Sequence, residues 1–278
     1  MQVFRLRKKR SGKLLSIAVL PIVAIGLFST IQNFFRTALE YSSPSLESSG
    51  SSASPSTTPE PVFKFEQKIF GYSRTGRPIE GYEIGKGDEV IFLHGSIHGN
   101  EMGTADLLNK LIETIRADQG LVTDSKRLVI VPIVNPDGYY DRIDKLNANG
   151  VNLNLNFPTD DWELYGQLGT FAGPKPFSEV ESLVIKDIVE QYKPSMMIAY
   201  HAKGGLVSPE DDDASIELAK WYARKTGYKY FDEWEYWGTA TRWFREMTNK
   251  PAITVEVTDY LKSDWTINRP ALLELISK

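Results

Sequence analysis

The chain has 278 residues, of which 41% are hydrophobic and 12% aromatic, so it can bury one substantial core. It contains no cysteine, which excludes disulfides, thiolate metal sites and cysteine nucleophiles. The formal net charge is −4; seven cations and no acid precede residue 37, so the remainder carries −4 minus 7, or −11. This acidic balance argues against nucleic acid as a partner.

The first sixty residues differ in composition from the rest. Residues 1–13 are basic, and residues 14–35 form an apolar run without a convincing cleavage site. We expect residues 1–13 to stay cytoplasmic and residues 14–35 to form a single-pass membrane anchor or, if cleaved, a signal segment. Residues 36–62 are rich in Ser and Pro, which predicts a disordered stalk. The domain of residues 63–278 would then lie outside the cell membrane, or be secreted.

From residue 63 onward, strand-like and helix-like patterns alternate, which is typical of a layered α/β domain. Apolar residues at helical spacing from Leu107 to Ile115 predict a helix that begins just after Glu101. Ser178 with Glu181 predicts a capping box before a second helix, and Pro270 predicts the start of a terminal helix. Apolar runs rich in β-branched residues predict four sheet strands, at 89–94, 127–134, 195–200 and 252–257.

Residues suited to metal chemistry follow the ends of these strands. His98 and Glu101 lie three apart at a strand-to-helix turn, and His201 and Glu256 end two other strands. Histidine nitrogen and carboxylate oxygen are zinc ligands in catalytic sites, where three protein ligands leave one position open. A lone His-x-x-Glu is more often a pair of solvated surface residues, so its meaning depends on what accompanies it. His94 ends a buried strand and is interpreted as structural.

A series of ordered motifs accompanies this pair. Together they resemble the zinc carboxypeptidases, also called funnelins, over about residues 70–259. The resemblance implies a three-layer α/β/α sandwich with a mixed, mostly parallel central sheet, and a zinc peptidase domain at residues 63–278. The motifs are Gly71-Tyr-Ser-Arg-Thr-Gly-Arg-Pro-Ile79, the His98-Gly-Asn-Glu101 turn, Asn135-Pro-Asp-Gly138, the Asn147 to Phe157 segment, Gly173-Pro-Lys-Pro-Phe-Ser178, His201 after its strand, and Thr254-Val-Glu256.

Position within these motifs implies a role for each metal-site residue. His98, Glu101 and His201 match the ligands of one Zn²⁺ ion. Glu256 matches the glutamate that activates the zinc-bound water and then protonates the leaving amine. Short bacterial members of the family act on cell-wall peptides, and this compact chain looks most like those murein peptide amidases and carboxypeptidases.

The resemblance also implies candidates for substrate contacts. Asn154 matches a residue that contacts the substrate carboxylate, and Tyr236 lies about where the family places a mobile tyrosine that covers the substrate. Lys145 falls closest to the arginine that polarises the oxyanion, and Arg142 is the rival for that role.

Two positions depart from the family pattern. Asn152 replaces an aspartate that orients a zinc-binding histidine; asparagine can still accept the imidazole proton, but it contributes no charge. Leu155 replaces an arginine that clamps the terminal carboxylate of the substrate. Either another cation, such as Arg142, Lys145 or Lys203, binds that carboxylate, or the substrate lacks a free carboxylate there.

We therefore predict a monomeric zinc metallopeptidase that hydrolyses an amide bond in a peptide or muropeptide. The two departures keep a catalytically impaired, peptide-binding pseudoenzyme open as an alternative. A second alternative is an N-acyl amino acid deacylase of the desuccinylase-like group. The intact Glu256 favours catalysis.

Overall fold

The computed structural model describes residues 62–141, 145–166, 169–234 and 236–278. Eight β-strands and six α-helices lie in these ranges, and all of the described residues belong to one compact unit. The strands are β1 (Lys64–Tyr72), β2 (Pro78–Gly85), β3 (Glu89–His94), β4 (Lys126–Val131), β5 (Met196–Ala202), β6 (Leu206–Pro209), β7 (Lys229–Tyr230) and β8 (Ala252–Val257). The helices are α1 (Met102–Ala117), α2 (Pro136–Asp141), α3 (Val180–Tyr192), α4 (Asp213–Thr226), α5 (Ala240–Thr248) and α6 (Trp265–Ser277).

The predicted cytoplasmic segment, anchor and most of the stalk, residues 1–61, lie outside the described residues. Within the ranges that the structure describes, no helix combines the length and the apolar character needed to cross a membrane.

The eight strands form one mixed sheet in the order β1-β2-β4-β3-β5-β8-β6-β7. The central strands β4, β3, β5 and β8 are parallel to their neighbours within that group. The β1–β2, β2–β4 and β6–β8 pairs are antiparallel, and the edge strand β7 is parallel to β6. The predicted mixed, mostly parallel sheet is confirmed, and the four strands predicted from the sequence are its parallel centre. Their carboxyl ends therefore meet at one edge, where loops can gather side chains from distant parts of the chain.

Helices cover both faces of the sheet, so the predicted three-layer arrangement is confirmed. Helices α1, α4 and α6 pack on one face, where alternate strand residues such as Ile91, Leu93 and Val255 are fully buried. Helices α3 and α5 pack on the other face against the intervening residues, such as Val90 and Phe92. This two-sided burial explains why the central strands read as continuous apolar runs rather than as alternating ones.

Two helix starts differ from the sequence prediction. Ser178 and Glu181 form no capping box: α3 begins at Val180, the Ser178 hydroxyl donates to Glu179, and Glu181 accepts from the backbone N–H of Arg74. The Ser178 hydroxyl and the Glu181 carboxylate, which a capping box would use, are thus bonded to other partners. Helix α6 begins five residues before Pro270, which lies inside it.

The motif at residues 71–79 is hydrogen-bonded to the motif at residues 135–138, close to the turn that carries His98 and Glu101. Asp137 in α2 is fully buried and accepts from the Ser73 hydroxyl at 2.7 Å and from the Thr75 backbone N–H at 3.1 Å. A Cβ added to Gly99 would lie 2.2 Å from the backbone carbon of Gly138, so only glycine permits this approach. The bonds to Asp137 hold the β1–β2 turn on α2, and the close approach of Gly99 to Gly138 places the turn that carries His98 and Glu101 against the same helix.

Candidate active site

The predicted metal ligands come together at the carboxyl edge of the parallel strands. His98 follows β3, Glu101 is the residue before α1, and His201 lies near the end of β5. Glu256 in β8 is directly opposite His201 in the strand register. Paired residues on neighbouring strands point to the same face, so Glu256 lies beside the three candidate ligands.

The turn between β3 and α1 is held by buried hydroxyl groups. The Thr104 hydroxyl donates to the Glu101 carbonyl oxygen at 2.7 Å and accepts from the Ser96 backbone N–H at 2.8 Å. The Ser96 hydroxyl donates to the same carbonyl oxygen at 3.0 Å. Because both hydroxyls are fully buried, these bonds fix the backbone that carries the ligand pair.

The Glu101 carboxylate lies between the two imidazoles. Its Oε1 is 2.8 Å from His98 Nδ1, and its Oε2 is 3.1 Å from His201 Nδ1. One candidate ligand atom from each of these residues lies within 4.8 Å of the other two. Burial alone would raise the pKa of Glu101, but the two imidazoles outweigh it and lower that pKa to about 2. The carboxylate is therefore ionised, as a metal ligand must be.

Asn152 orients the His98 ring from the far side. His98 Nε2 lies 2.9 Å from Asn152 Oδ1, and a carboxamide oxygen can only accept, so Nε2 carries the hydrogen. This leaves His98 Nδ1, the atom that faces Glu101, available as a ligand. The same Oδ1 accepts from the Asn154 backbone N–H at 3.1 Å, which holds the amide in place. The expectation that asparagine accepts the imidazole proton is confirmed.

The donor set fits zinc. Two Nδ1 atoms and one carboxylate converge, two of these groups from the β3–α1 turn and one from β5, and a set of two histidines and one glutamate is used by catalytic zinc sites. The ionised state of Glu101 is the one that metal binding requires.

Glu256 is suited to act as a base rather than as a ligand. It is half-buried, and it does not belong to the converging ligand group of the described residues. Burial raises the pKa of Glu256 to about 7, His201 opposes this rise, and Glu101 adds to it. A general base works best when its pKa lies near the operating pH.

The predicted substrate contacts surround this centre. Asn154 Oδ1 accepts from the backbone N–H of Ala240 at 3.2 Å, at the start of α5. Tyr236 is 39% exposed, and both its partial burial and the nearby Glu256 raise the pKa of its phenol. Tyr236 is therefore close enough to Glu256 to interact with it electrostatically.

The predicted cations differ in their surroundings. Lys145 is half-buried just before the Asn147 segment, and Arg142 lies outside the described residues. Lys203 is exposed two residues after His201, and its Nζ lies 5.7 Å from the centre of the Tyr260 ring. The assignment of a catalytic role to Lys145 or Arg142, and of substrate binding to Lys203, remains a prediction.

Leu155 is buried at 7% exposure. A Cβ added to Gly166 would lie 2.2 Å from Leu155 Cδ1, so the leucine side chain packs directly under that loop. The Trp162 indole N–H donates to the Leu155 carbonyl oxygen at 2.8 Å. The position at which the family resemblance implies an arginine is thus a packing site in this chain.

His94 is fully buried, and neither of its ring nitrogens has a partner within the described part of the chain. Burial, with a smaller contribution from His201, lowers the pKa of His94 to about 3, so the ring is neutral. Its ring lies next to Phe92, with centroids 5.4 Å apart and the planes tilted by 40°, and it is outside the converging ligand group.

Arg242 was missed by the sequence reasoning. Its guanidinium donates to the Tyr236 carbonyl oxygen at 2.9 Å and lies 3.0 Å from the Asp161 carboxylate. It therefore ties the segment that carries Tyr236 to the loop that covers Leu155. Nothing in the local pattern indicates the pairing with Asp161, because that residue lies far from Arg242 in sequence.

Comparison with known proteins places this geometry in a family. The model of the Peptidase_M14 family, described as zinc carboxypeptidase, matches residues 64–263. Murein peptide amidase A of Escherichia coli strain K12 is 26% identical over 169 residues, which cover 56% of this chain and 65% of that protein, slightly less than two thirds of its length. Murein peptide amidase A of Vibrio campbellii is 24% identical over 230 residues, which cover 76% of this chain and 87% of that protein.

Solved structures show the same fold. The murein-tripeptide amidase of Escherichia coli O157 superposes with a TM-score of 0.59 at 22% identity, covering 78% of this chain and 94% of that chain. The bovine thrombin-activatable fibrinolysis inhibitor, in complex with tick carboxypeptidase inhibitor, superposes with a TM-score of 0.65 at 17% identity, covering 77% of this chain and 87% of that chain. Because the family model matches well over half of its length, this chain belongs to the zinc carboxypeptidase family.

Proposed function

We propose that this protein is a zinc-dependent metallopeptidase that hydrolyses an amide bond in small peptides. The observation that carries the proposal is the convergence of His98, Glu101 and His201 with the half-buried Glu256 beside them. A zinc ion bound by the three ligands would polarise the substrate carbonyl and lower the pKa of a coordinated water.

Glu256 would accept a proton from the attacking water and return it to the leaving amine. Its pKa of about 7 allows both transfers near neutral pH. Tyr236, close to Glu256 and exposed at the rim, would cover the bound peptide. Asn154, held by Asn152 and the first turn of α5, would present its amide to the substrate.

We further propose cell-wall-derived peptides as the substrate class. The support is the similarity to proteins named murein peptide amidase, at 24–26% identity. The buried Leu155 suits a substrate without a free carboxylate at the point where other family members bind one, since a leucine cannot form a bidentate pair.

The location is also a proposal. The basic residues 1–13 and the apolar residues 14–35 support an anchor with the catalytic domain outside the membrane. Protease added to spheroplasts should release a fragment close in size to residues 63–278. Recovery of the protein only in the cytosol would contradict this.

The function is tested by combining metal analysis with turnover of defined muropeptides followed by mass spectrometry. The full-length protein should hold one zinc per chain, and His98→Ala and His201→Ala should lose it. Glu256→Gln should retain zinc and lose hydrolysis by at least a hundredfold, roughly the contribution of a general base. Glu217→Gln on α4, with a side chain 72% exposed, is the matched control and should behave as the parent.

Two outcomes would favour the alternatives. A zinc-loaded parent that binds muropeptides without cleaving them would support the pseudoenzyme. Cleavage of N-acyl amino acids but not of peptides would support the deacylase. Unchanged turnover in Glu256→Gln would contradict the mechanism.

A further inference from the structure

The ring of His201 has one nitrogen that the candidate metal site does not use. Its Nδ1 faces Glu101 Oε2 at 3.1 Å, among the converging ligand atoms. When Nδ1 binds a metal ion, Nε2 carries the ring hydrogen and becomes a donor. Nε2 is buried and has no hydrogen-bond partner within the described part of the chain. Because histidine ligands almost always donate this second N–H to an acceptor, His201 requires one.

A second buried histidine lies on the same face of the sheet. His94, the last residue of β3, is directly opposite Ala199 of the parallel strand β5, and His201 lies two residues further along β5. Side chains alternate along a strand, so these three side chains share one face. Phe92 and Met197, which precede them by two residues on each strand, belong to the core on the side of α3 and α5. His94 and His201 are therefore diagonal neighbours, with Cβ atoms about 8 Å apart from the spacing of strands and residues.

His94 has an acceptor to offer. Its side chain is fully buried, and neither ring nitrogen has a partner among the residues that the structure describes. Burial, with a smaller contribution from the charge of His201, lowers the pKa of His94 to about 3, so the ring is neutral and the two rings are near enough to interact. A neutral imidazole has one nitrogen that accepts a hydrogen bond. Since most buried polar groups are paired, the two histidines supply what each other lacks.

We propose that His94 is a positioning residue for the candidate zinc ligand His201 and accepts its Nε2–H through one buried water molecule. This inference rests on the zinc site of the proposed function. The described rings do not bond each other directly. A buried water that pairs with otherwise unsatisfied polar groups is a common part of protein interiors. The bridge holds the His201 ring at the angle that directs Nδ1 towards the metal, as Asn152 does for His98.

A positioning role and a packing role predict different results for His94→Leu. If His94 only fills space, leucine is an apolar replacement of similar size, and the folded variant binds zinc as the parent does. If His94 positions His201, the variant loses the acceptor. Loss of a partner that orients a metal ligand typically weakens metal binding by roughly ten- to a hundredfold. His94→Gln keeps a side-chain acceptor and should bind zinc more tightly than His94→Leu.

The first measurement is zinc affinity of the full-length protein, by competition with a chromophoric chelator. We expect the Kd to rise roughly ten- to a hundredfold in His94→Leu and less in His94→Gln. Leu93→Met, a volume-conserving change at the next position of β3 on the opposite face of the sheet, is the matched control and should keep the parent Kd. Circular dichroism shows whether each variant is folded.

The second measurement is nitrogen NMR of the imidazole rings. The chain has only three histidines, so a sample with isotope-labelled histidine gives signals from three rings, and those of His94 are identified by their loss in His94→Leu. In the zinc-loaded parent, His201 should carry a hydrogen on Nε2 that exchanges slowly with solvent, and one nitrogen of His94 should show the shift of a hydrogen-bond acceptor. Slow exchange of the His201 hydrogen should be lost in His94→Leu. If that variant does not fold, the spectrum of the parent still tests the inference.

An unchanged Kd in folded His94→Leu, or a parent spectrum in which neither nitrogen of His94 accepts a hydrogen bond, would overturn the inference. If the parent holds no zinc, the proposed function fails, and the spectra of the metal-free proteins decide the inference. A shift of the His201 Nε2 signal in His94→Leu but not in Leu93→Met would then support the contact between the two rings. Identical His201 signals in all three proteins would overturn it.

Discussion

Asn152 offers a direct test of how the ligand shell is built. Its Oδ1 accepts from His98 Nε2 at 2.9 Å and from the Asn154 backbone N–H at 3.1 Å, and the residue is only 5% exposed. Asn152→Asp keeps both acceptor positions and adds a negative charge behind the imidazole. Asn152→Ala removes the acceptor and leaves the ring free to turn. We expect zinc affinity to rise in the first variant and fall in the second.

The magnitudes follow from the bond between Asn152 and His98. A neutral hydrogen bond contributes about 1 kcal/mol and one to a charged group about 1.5–3 kcal/mol, so Asn152→Asp should gain about 1 kcal/mol, roughly fivefold in Kd. Loss of a partner that orients a metal ligand typically costs ten- to a hundredfold, so Asn152→Ala should weaken zinc binding by about 1.4–2.8 kcal/mol.

The assay is competition for zinc against a chromophoric chelator at fixed pH and ionic strength. Asn109→Asp, an exposed change on α1 that adds the same charge, is the matched control and should leave the Kd unchanged within twofold. Circular dichroism confirms that each variant is folded. If Asn152→Asp and Asn152→Ala both bind zinc as the parent does, Asn152 does not orient His98 and the ligand assignment has to be revised.

Two further predictions concern packing and pH. Leu155→Arg puts a larger side chain where a buried leucine packs beneath Gly166, so we expect a loss of about 1–3 kcal/mol in the free energy of unfolding, measured by urea denaturation. We also expect a roughly ten- to hundredfold gain on peptides with a free terminal carboxylate over their amides, the scale of a charge-assisted bidentate pair. If the unmutated protein already strongly prefers peptides with a free terminal carboxylate, another cation binds that carboxylate. Burial by itself would raise the pKa of Glu83, but hydrogen bonds from Lys64 and Lys68 outweigh it and lower that pKa from 4.5 to about 2. The pKa of Glu83 is thus lower in the folded protein than in the unfolded chain. Its ion pairs with Lys64 and Lys68 therefore stabilise the fold fully above about pH 4.5, and this contribution is lost as the pH falls towards 2. Glu83→Gln should therefore cost about 1–3 kcal/mol at pH 7 and much less near pH 2.5, and an equal cost at both values would contradict the pairing.

Sequence pattern was sufficient to predict the parallel core of the sheet and to indicate the candidate metal ligands that the fold brings together. Four apolar runs rich in β-branched residues became β3, β4, β5 and β8, because strands buried on both faces must be apolar throughout. The helix after Glu101 followed from apolar residues at helical spacing. The ligands were found because histidine is scarce in this chain and because His98, Glu101 and His201 fit ordered motifs. Each of these predictions depends on a short run of residues that are close together in sequence.

Only the tertiary structure decided how distant groups pair. The register that sets Glu256 beside His201 pairs residues that are over fifty positions apart in sequence. The expected cap at Ser178 and Glu181 failed because Glu181 binds the backbone of Arg74 instead. Hydrogen-bond donors and acceptors take whichever partner the packed fold brings within reach, and most buried polar groups take one. Sequence pattern therefore determined which residues the site could use, whereas packing determined which atoms meet there.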